Sequence, residues 1–132
     1  MSQDFAHLHL HTEYSILDGA CRISEALETA REMGMDSLAI TDHGVMYGAL
    51  EFYQKALKCG IRPILGSEVY VAPGGRLSRE RGTPERPNHL VLLAENNIGY
   101  ENLMRIVTRV SPRVSTTNPG STRRSSPSTA KA

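Results

Sequence analysis

Tryptophan is absent from this chain of 132 residues, and only two cysteines occur. Cys21 and Cys59 lie far apart and form no Cys-x-x-Cys pair, which argues against a zinc knuckle and makes reduced thiols the default. No apolar run is long enough to cross a bilayer, and residues 1–4 lack the basic and apolar regions of a signal peptide. We therefore expect a cytoplasmic protein with no membrane partner.

The chain also has no large excess of charge of one sign: it contains 15 basic and 14 acidic residues, and its net charge is +1. Such a balance gives no global attraction to nucleic acid. The chain also contains no Walker loop, no Gly-x-Gly-x-x-Gly run and no signature of a Ser-His-Asp triad. Its length and its 39% of hydrophobic residues fit one small domain, which we place at residues 1–110.

Histidine is concentrated in the segment HLHLHTEYSILDG near the N-terminus. Phe5–Leu10 has the alternation of a strand, in which residues two apart face the same side. His7, His9 and His11 are therefore expected to project together, with the Asp18 carboxylate following from the next loop. Neutral imidazole is the commonest metal-binding side chain, so this segment predicts part of a metal site.

Three more metal-type ligands come at or near the ends of other apolar runs: His43 in TDHG, Glu68 in GSE and His89 in NHL. Each has an ordinary reading on its own, such as a capped turn or a hydrogen-bonded surface histidine. Their repeated placement predicts a multinuclear metal centre with the ligands His9, His11, Asp18, His43, Glu68 and His89. His7 and Asp42 are expected to hydrogen-bond those ligands without necessarily touching metal.

Strand and helix patterns alternate along the chain, which favours parallel βαβ units in a sheet or barrel with ligands at the carboxyl ends of the strands. The predicted strands are Phe5–Leu10, Ser37–Thr41, Ile61–Leu65, Glu68–Val71 and His89–Ala94. The predicted helices run from Ser24, as N-cap, to about Met33, from Tyr47 to Leu57 and from Ile98 to Arg109. The Gly/Pro/Arg-rich stretch Ala72–Pro87 is expected to be a mobile loop, and residues 111–132 a disordered basic tail rich in Ser, Thr and Pro.

Several imidazoles combined with carboxylates suit zinc, manganese or iron, and one bridging carboxylate can hold two such ions. The reaction favoured by these residues is phosphoester hydrolysis by a metal-activated water, so no side chain is assigned as the catalytic group. An amidohydrolase-like barrel would begin with a similar His-x-His pair, and the residue chemistry alone leaves the substrate open.

Three stretches carry a more specific resemblance: HLHTEYSILDG, LAITDHGVMYGALEFYQKALKCGIRPILGSEVYVAP and HLVLLAENNIGYENLMRIV. They closely resemble the N-terminal PHP (polymerase and histidinol phosphatase) domain of bacterial DNA polymerase III alpha subunits. The resemblance implies an α/β fold, the first half of a distorted parallel β/α barrel of the PHP type. It also implies a parent that is a DNA-directed DNA polymerase, with DNA and other replicase subunits as partners.

The resemblance implies roles residue by residue. His9 and His11 match the family's opening pair, Asp18 its loop carboxylate and His43 the histidine of its second motif. Glu68 matches the carboxylate expected to bridge metals, and His89 matches the next histidine. Metal-retaining members resemble a trinuclear phosphoesterase, linked in some to 3′–5′ exonuclease activity, and zinc or manganese is the cofactor this implies.

The resemblance ends near Arg109, before the family's last ligands and the polymerase aspartates, so we expect the fragment itself to be inactive. Two alternatives stay open: an independent PHP phosphoesterase acting on a small phosphomonoester, and a non-catalytic platform stabilised by metal. A one-base frameshift of the family's usual continuation would give STTNPGST, which is residues 115–122 here. An intact reading frame past the codon for Arg109 would contradict that hypothesis.

Overall fold

The computed structural model describes residues 5–71 and 88–114. In chain order, the elements are α1 (Ile23–Glu32), β1 (Ser37–Ile40), α2 (Ala49–Cys59), β2 (Arg62–Val71), β3 (Asn88–Leu93) and α3 (Asn97–Val114). Within the described residues the strands form one sheet in the order β1-β2-β3. This is the mixed α/β architecture that the sequence predicts. The predicted mobile loop Ala72–Pro87 and residues 115–132 of the predicted tail lie outside the described ranges.

The sheet is parallel between β1 and β2 but antiparallel between β2 and β3. An all-parallel arrangement, as expected from the alternating pattern, is therefore wrong for β3. Parallel neighbours need a crossover connection, usually a helix, whereas antiparallel neighbours do not. The Gly/Pro/Arg-rich sequence between Val71 and Asn88 has no helical pattern, which agrees with the antiparallel pairing.

The predicted first strand, Phe5–Leu10, is an extended segment beside β1 without a regular ladder. The N–H groups of Ala39 and Thr41 donate to the carbonyls of His7 and Leu10, both at 2.9 Å. The N–H of Leu10 donates to the Thr41 side-chain hydroxyl instead of a main-chain carbonyl. The segment is therefore hydrogen-bonded to β1 without the regular ladder of a strand.

Helix boundaries differ from the predictions at several ends. Helix α1 begins at Ile23, whose N–H donates to the carboxylate of Glu13 at 2.9 Å, so the predicted cap at Ser24 is wrong. A carboxylate at a helix N-terminus satisfies a free N–H and complements the helix dipole. At the other end of the chain, α3 reaches Val114 and so continues past Arg109 into the segment predicted to be disordered.

The two predicted strands Ile61–Leu65 and Glu68–Val71 form one continuous strand, β2, through Gly66. A Cβ on Gly66 would lie 2.6 Å from the carbonyl oxygen of Leu92, so the missing side chain lets β2 and β3 approach closely. Continuity through Gly66 places Glu68 at the centre of the sheet, between the neighbouring strands.

The hydrophobic core lies between the sheet and helices α1 and α2. Helix α2 buries Ala49, Phe52 and Ala56, while its apolar residues Leu50, Tyr53 and Leu57 are exposed. The main core cluster consists of Ile23, Leu27, Ala30, Met35, Leu38, Ile40, Phe52, Ala56 and Ile61. Strand β3 lies at one edge of the sheet, and Leu90 and Leu93 are 47% and 39% exposed. The helices in the described ranges include none that is long and apolar enough to cross a membrane.

Candidate metal centre

Glu68 is the centre of the candidate site, and its side chain is only 1% exposed. The backbone N–H of Glu68 donates to the carbonyl of Asp42 at 3.0 Å, and the backbone carbonyl of Glu68 accepts from the N–H of Gly44 at 2.7 Å. These two bonds extend the β1–β2 pairing by one bridge, between His43 and Glu68. The end of the parallel pair therefore places the His43 and Glu68 side chains next to each other.

Four imidazoles surround the Glu68 carboxylate, and they divide between its two oxygens. Oε2 contacts Nε2 of His9 and lies 3.2 Å from Nε2 of His11. Oε1 contacts Nδ1 of His89 and lies 3.4 Å from Nδ1 of His43. Among residues 5–71 and 88–114, two groups therefore bring ligand atoms within 4.8 Å of one another: His9 with His11 and Glu68, and His43 with Glu68 and His89.

Ring packing joins the two groups. The rings of His11 and His43 are stacked, with centroids 4.0 Å apart and planes at 10°. The His9 ring meets the His11 ring edge-on at 4.8 Å, and the His89 ring meets the His43 ring in the same way at 5.7 Å. These contacts pack the four imidazoles against one another around the Glu68 carboxylate.

Asp18, the other expected carboxylate ligand besides Glu68, lies beside this cluster. Its side chain is 57% exposed, and Oδ2 is 2.8 Å from Nε2 of His43. The structure therefore places Asp18 against the outer nitrogen of His43, on the opposite side of the ring from Nδ1. Asp18 therefore orients the His43 ring, as carboxylates bonded to the second ring nitrogen do for many metal-bound imidazoles.

Asp42 is buried and supports the site through the loop that carries Asp18. Its carboxylate accepts hydrogen bonds from the Thr12 N–H at 2.6 Å, the Thr12 hydroxyl at 2.8 Å and the Ser15 hydroxyl at 2.7 Å. The Ser15 carbonyl in turn accepts from the N–H groups of Asp18 and Gly19 at 3.1 and 2.7 Å. Asp42, which directly precedes His43 in the sequence, thus holds the backbone of the loop that carries Asp18.

Gly19 closes that loop tightly. A Cβ there would lie 1.8 Å from the carbonyl oxygen of Thr12, which no side chain could occupy without moving the backbone. The N–H of Glu13 also donates to the carbonyl of Cys21 at 3.0 Å, which brings the two ends of the loop together. The loop is therefore held in place from both ends and from beneath by Asp42.

His7 is not part of the two ligand groups. Its ring meets that of Phe5 edge-on, with centroids 4.9 Å apart. It lines an open cavity of about 330 Å³ beside α1, together with Leu10 and residues of the helix. The sequence predicts that His7 projects together with His9 and His11, but His7 lies outside both ligand groups, with its ring against Phe5.

Electrostatics keeps two of the central groups in the form that metals bind. Burial raises the pKa of the Glu68 carboxyl, but the hydrogen bond with His9 and the attraction to His43 and His89 outweigh it, so this pKa lies below its ordinary value. Burial, followed by repulsion from His43, lowers the pKa of His11. A neutral imidazole and an ionised carboxylate are the forms that coordinate divalent metals.

The donor set fits a metal because two buried polar atoms of the site lack a hydrogen-bond partner. Within the described part of the chain, Oε1 of Glu68 and Nδ1 of His11 have no hydrogen-bond partner. Unpaired buried polar atoms are rare and costly, and a cation would satisfy Oε1 together with the nearby imidazole nitrogens. Imidazole and carboxylate together suit zinc and manganese.

Tyr70 is a residue of the site that the metal-ligand patterns in the sequence missed. Its hydroxyl lies 3.3 Å from Nδ1 of His43. Because Tyr70 follows Glu68 by two positions on β2, the strand period places both side chains on one face. This two-residue period is the sequence feature that indicates Tyr70, but tyrosine is not among the residue types that usually bind zinc or manganese.

The fold and the His/Glu cluster define a PHP domain, and the PHP domain family model matches residues 7–128. The chain belongs to this family. The matched range extends beyond Arg109, where the resemblance noticed in the sequence ends.

Curated relatives are alpha subunits of DNA polymerase III. The chain is 51% identical over 100 residues to that of Helicobacter pylori (strain 26695), covering 76% of this chain and 8% of the relative. It is 46% identical over 109 residues to that of Thermus aquaticus, covering 80% and 9%. For Borreliella burgdorferi the identity is 43% over 105 residues, covering 79% and 9%. The chain therefore spans about a tenth of the length of the curated relatives it matches.

Solved structures support the fold. An amidohydrolase from Chromobacterium violaceum, determined with bound sulfate and no metal, has a TM-score of 0.52 and 26% identity and covers 76% of this chain and 32% of its own. A protein from Bifidobacterium adolescentis, assigned as a metal-dependent phosphoesterase, has a TM-score of 0.52 and 19% identity and covers 90% and 41%. These likenesses agree with part of a PHP-type barrel.

Proposed function

We propose that this chain is the PHP-domain region of a bacterial replicative DNA polymerase alpha subunit and that its His/Glu cluster is a divalent-metal phosphoesterase centre. The observation that carries the proposal is the division of four imidazoles between the two oxygens of Glu68. The identity of 43–51% to polymerase subunits favours this parent over an independent phosphomonoesterase. DNA, with its 3′ end as substrate, and other replicase subunits are the partners proposed for the parent, in the cytoplasm.

Each residue has a defined task in this proposal. Glu68 would bridge two cations, His9 and His11 would hold one, and His43 and His89 would hold the other. Zinc or manganese is the cofactor that these ligands suit best. When bound, such cations lower the pKa of water and neutralise charge on a phosphate. Asp18 would hold the His43 ring in place through Nε2 or add a carboxylate ligand on closing toward the site, and Asp42 would fix the loop that carries Asp18.

The proposal is tested by titrating Mn²⁺ or Zn²⁺ into the 132-residue chain and two histidine variants by calorimetry. His9→Ala removes a ligand of one group and is expected to weaken binding at least about tenfold. His7→Ala is the matched control, since His7 lies two residues earlier with its ring against Phe5, and it should bind as the wild type does. Equal affinities for all three proteins would contradict the proposal.

Hydrolysis is expected to be slow in this chain, because the resemblance implies further ligands that its 132 residues do not supply. A site with an incomplete ligand set holds metal geometry poorly. Release of nucleotides from a DNA 3′ end, measured beside a full-length relative, checks this expectation. Comparable rates would refute it, and metal binding without hydrolysis in the full-length parent would favour the non-catalytic platform.

A further inference from the structure

Tyr70 stands at the exposed edge of the His43 group. Its position on β2 pairs with His89 on β3, so the two side chains share a face. The phenol ring is 41% exposed and lies parallel to the His43 ring, at 6.0 Å and 8°, and edge-on to the His89 ring, at 4.7 Å and 88°. One side of Tyr70 therefore contacts the ligand histidines, and the other faces solvent, where a substrate would arrive.

The proton on His43 can be assigned from its two neighbours. An ionised carboxylate only accepts, so the 2.8 Å contact between Asp18 Oδ2 and His43 Nε2 requires the proton on Nε2. In the neutral ring Nδ1 then carries the lone pair, and the Tyr70 hydroxyl at 3.3 Å donates to it. Nδ1 is also the His43 atom that faces Oε1 of Glu68 at 3.4 Å. The hydroxyl therefore uses the same lone pair that a cation at this group needs.

We propose that Tyr70 is a positioning residue that satisfies Nδ1 of His43 in the metal-free site and turns its hydroxyl to a phosphate oxygen once a divalent cation takes that nitrogen. This proposal rests on the metal-dependent function proposed above. A neutral hydroxyl donor at the edge of the site suits a phosphate ester, because it donates a hydrogen bond to a phosphate oxygen and adds no charge beside the cations.

The test is Tyr70→Phe in the 132-residue chain, because phenylalanine keeps the ring between His43 and His89 and removes only the hydroxyl. Two affinities are measured by calorimetry: that of Mn²⁺ for the protein alone, and that of inorganic phosphate for the protein saturated with Mn²⁺. Tyr53→Phe is the matched control, since Tyr53 is a similarly exposed tyrosine on α2.

The two affinities are expected to change in opposite directions. Mn²⁺ should bind about threefold to tenfold more tightly to Tyr70→Phe, because no hydrogen bond has to break, and phosphate should bind about threefold to tenfold more weakly. The control should match the wild type in both. A merely structural role would weaken both, and that result, or no change in either affinity, would overturn the proposal. If the wild type binds no Mn²⁺, the proposed metal centre itself is refuted. If the wild type binds Mn²⁺ but the affinities of Tyr53→Phe change as those of Tyr70→Phe do, only the role of Tyr70 is refuted.

Discussion

Replacing Glu68 by glutamine removes one negative charge from the centre of the site and leaves the shape of the side chain nearly unchanged. Oε1 and Oε2 each serve one histidine pair, so the substitution affects both ligand groups at once. For charges about 4 Å apart in a partly buried site, one unit charge interacts with another by about 4 kcal/mol. A loss of that size corresponds to a weakening of metal affinity of about a thousandfold.

The metal-free protein should respond much less to this substitution. The glutamine amide can donate to Nδ1 of His43 or His89, whereas Oε1 of the native carboxylate has no hydrogen-bond partner among the described residues. This donation offsets part of the attraction between the ionised carboxylate and its histidines that the substitution removes, so we expect the melting temperature of Glu68→Gln in EDTA to stay close to that of the wild type. The loss of metal affinity then reflects a missing ligand and not a damaged fold.

Thermal unfolding with and without Zn²⁺ measures both effects. Ligand at 100 times its dissociation constant stabilises a protein by about 2.7 kcal/mol, so the wild type should melt at a clearly higher temperature with metal. Glu68→Gln should show no such increase. Glu51→Gln is the control, because Glu51 bonds Tyr14 and Lys55 on the other side of the core and its loss should leave the metal effect intact. A metal-induced increase of wild-type size in Glu68→Gln would refute the bridging role.

Three further predictions concern the fold. Asp42→Asn should lower the free energy of unfolding by about 3 kcal/mol in urea, because an amide cannot accept all three of the hydrogen bonds that Asp42 receives; an unchanged urea midpoint would contradict this. The metal-free chain should lose stability as the pH falls below 6.5, because the His11 pKa is lowered in the fold and the unfolded chain therefore binds the proton first. The lowered Glu68 pKa acts in the same direction below pH 4.5. Chemical unfolding at several pH values checks this: the free energy of unfolding should fall less steeply with falling pH in His11→Gln than in the wild type. Amides of β3 on the edge away from β2 should exchange rapidly with deuterium, and uniform strong protection over residues 88–93 in a monomer would show that this edge is covered.

Much of the site could be predicted because metal ligands are few in type and follow apolar runs. His43 and Glu68 were found at the ends of runs that form β1 and the middle of β2, and the parallel pairing brings the two together. His9 and His11 were found by their spacing, although the segment that carries them is not a strand. The same spacing grouped His7 with them, whereas its ring lies against Phe5 and outside both ligand groups.

The remaining differences come from contacts between residues distant in sequence. Glu13 starts α1 from ten residues away, so the local pattern around Ser24 could not reveal the cap. The direction of β3 depends on its partner β2, and an apolar run reads the same in either direction. Tyr70 enters the site through its pairing with His89 across two strands, which only the register of the sheet shows.

The most direct test of the bridged metal centre is a crystal structure of the 132-residue chain with bound zinc and an anomalous difference map at the zinc absorption edge. We expect two peaks, one on each side of the Glu68 carboxylate. One should lie about 2.0–2.2 Å from ligand atoms of His9 and His11, and the other at the same distance from His43 and His89. The absence of zinc at Glu68, or a single peak that leaves one of its oxygens without a metal, would contradict the bridged metal centre.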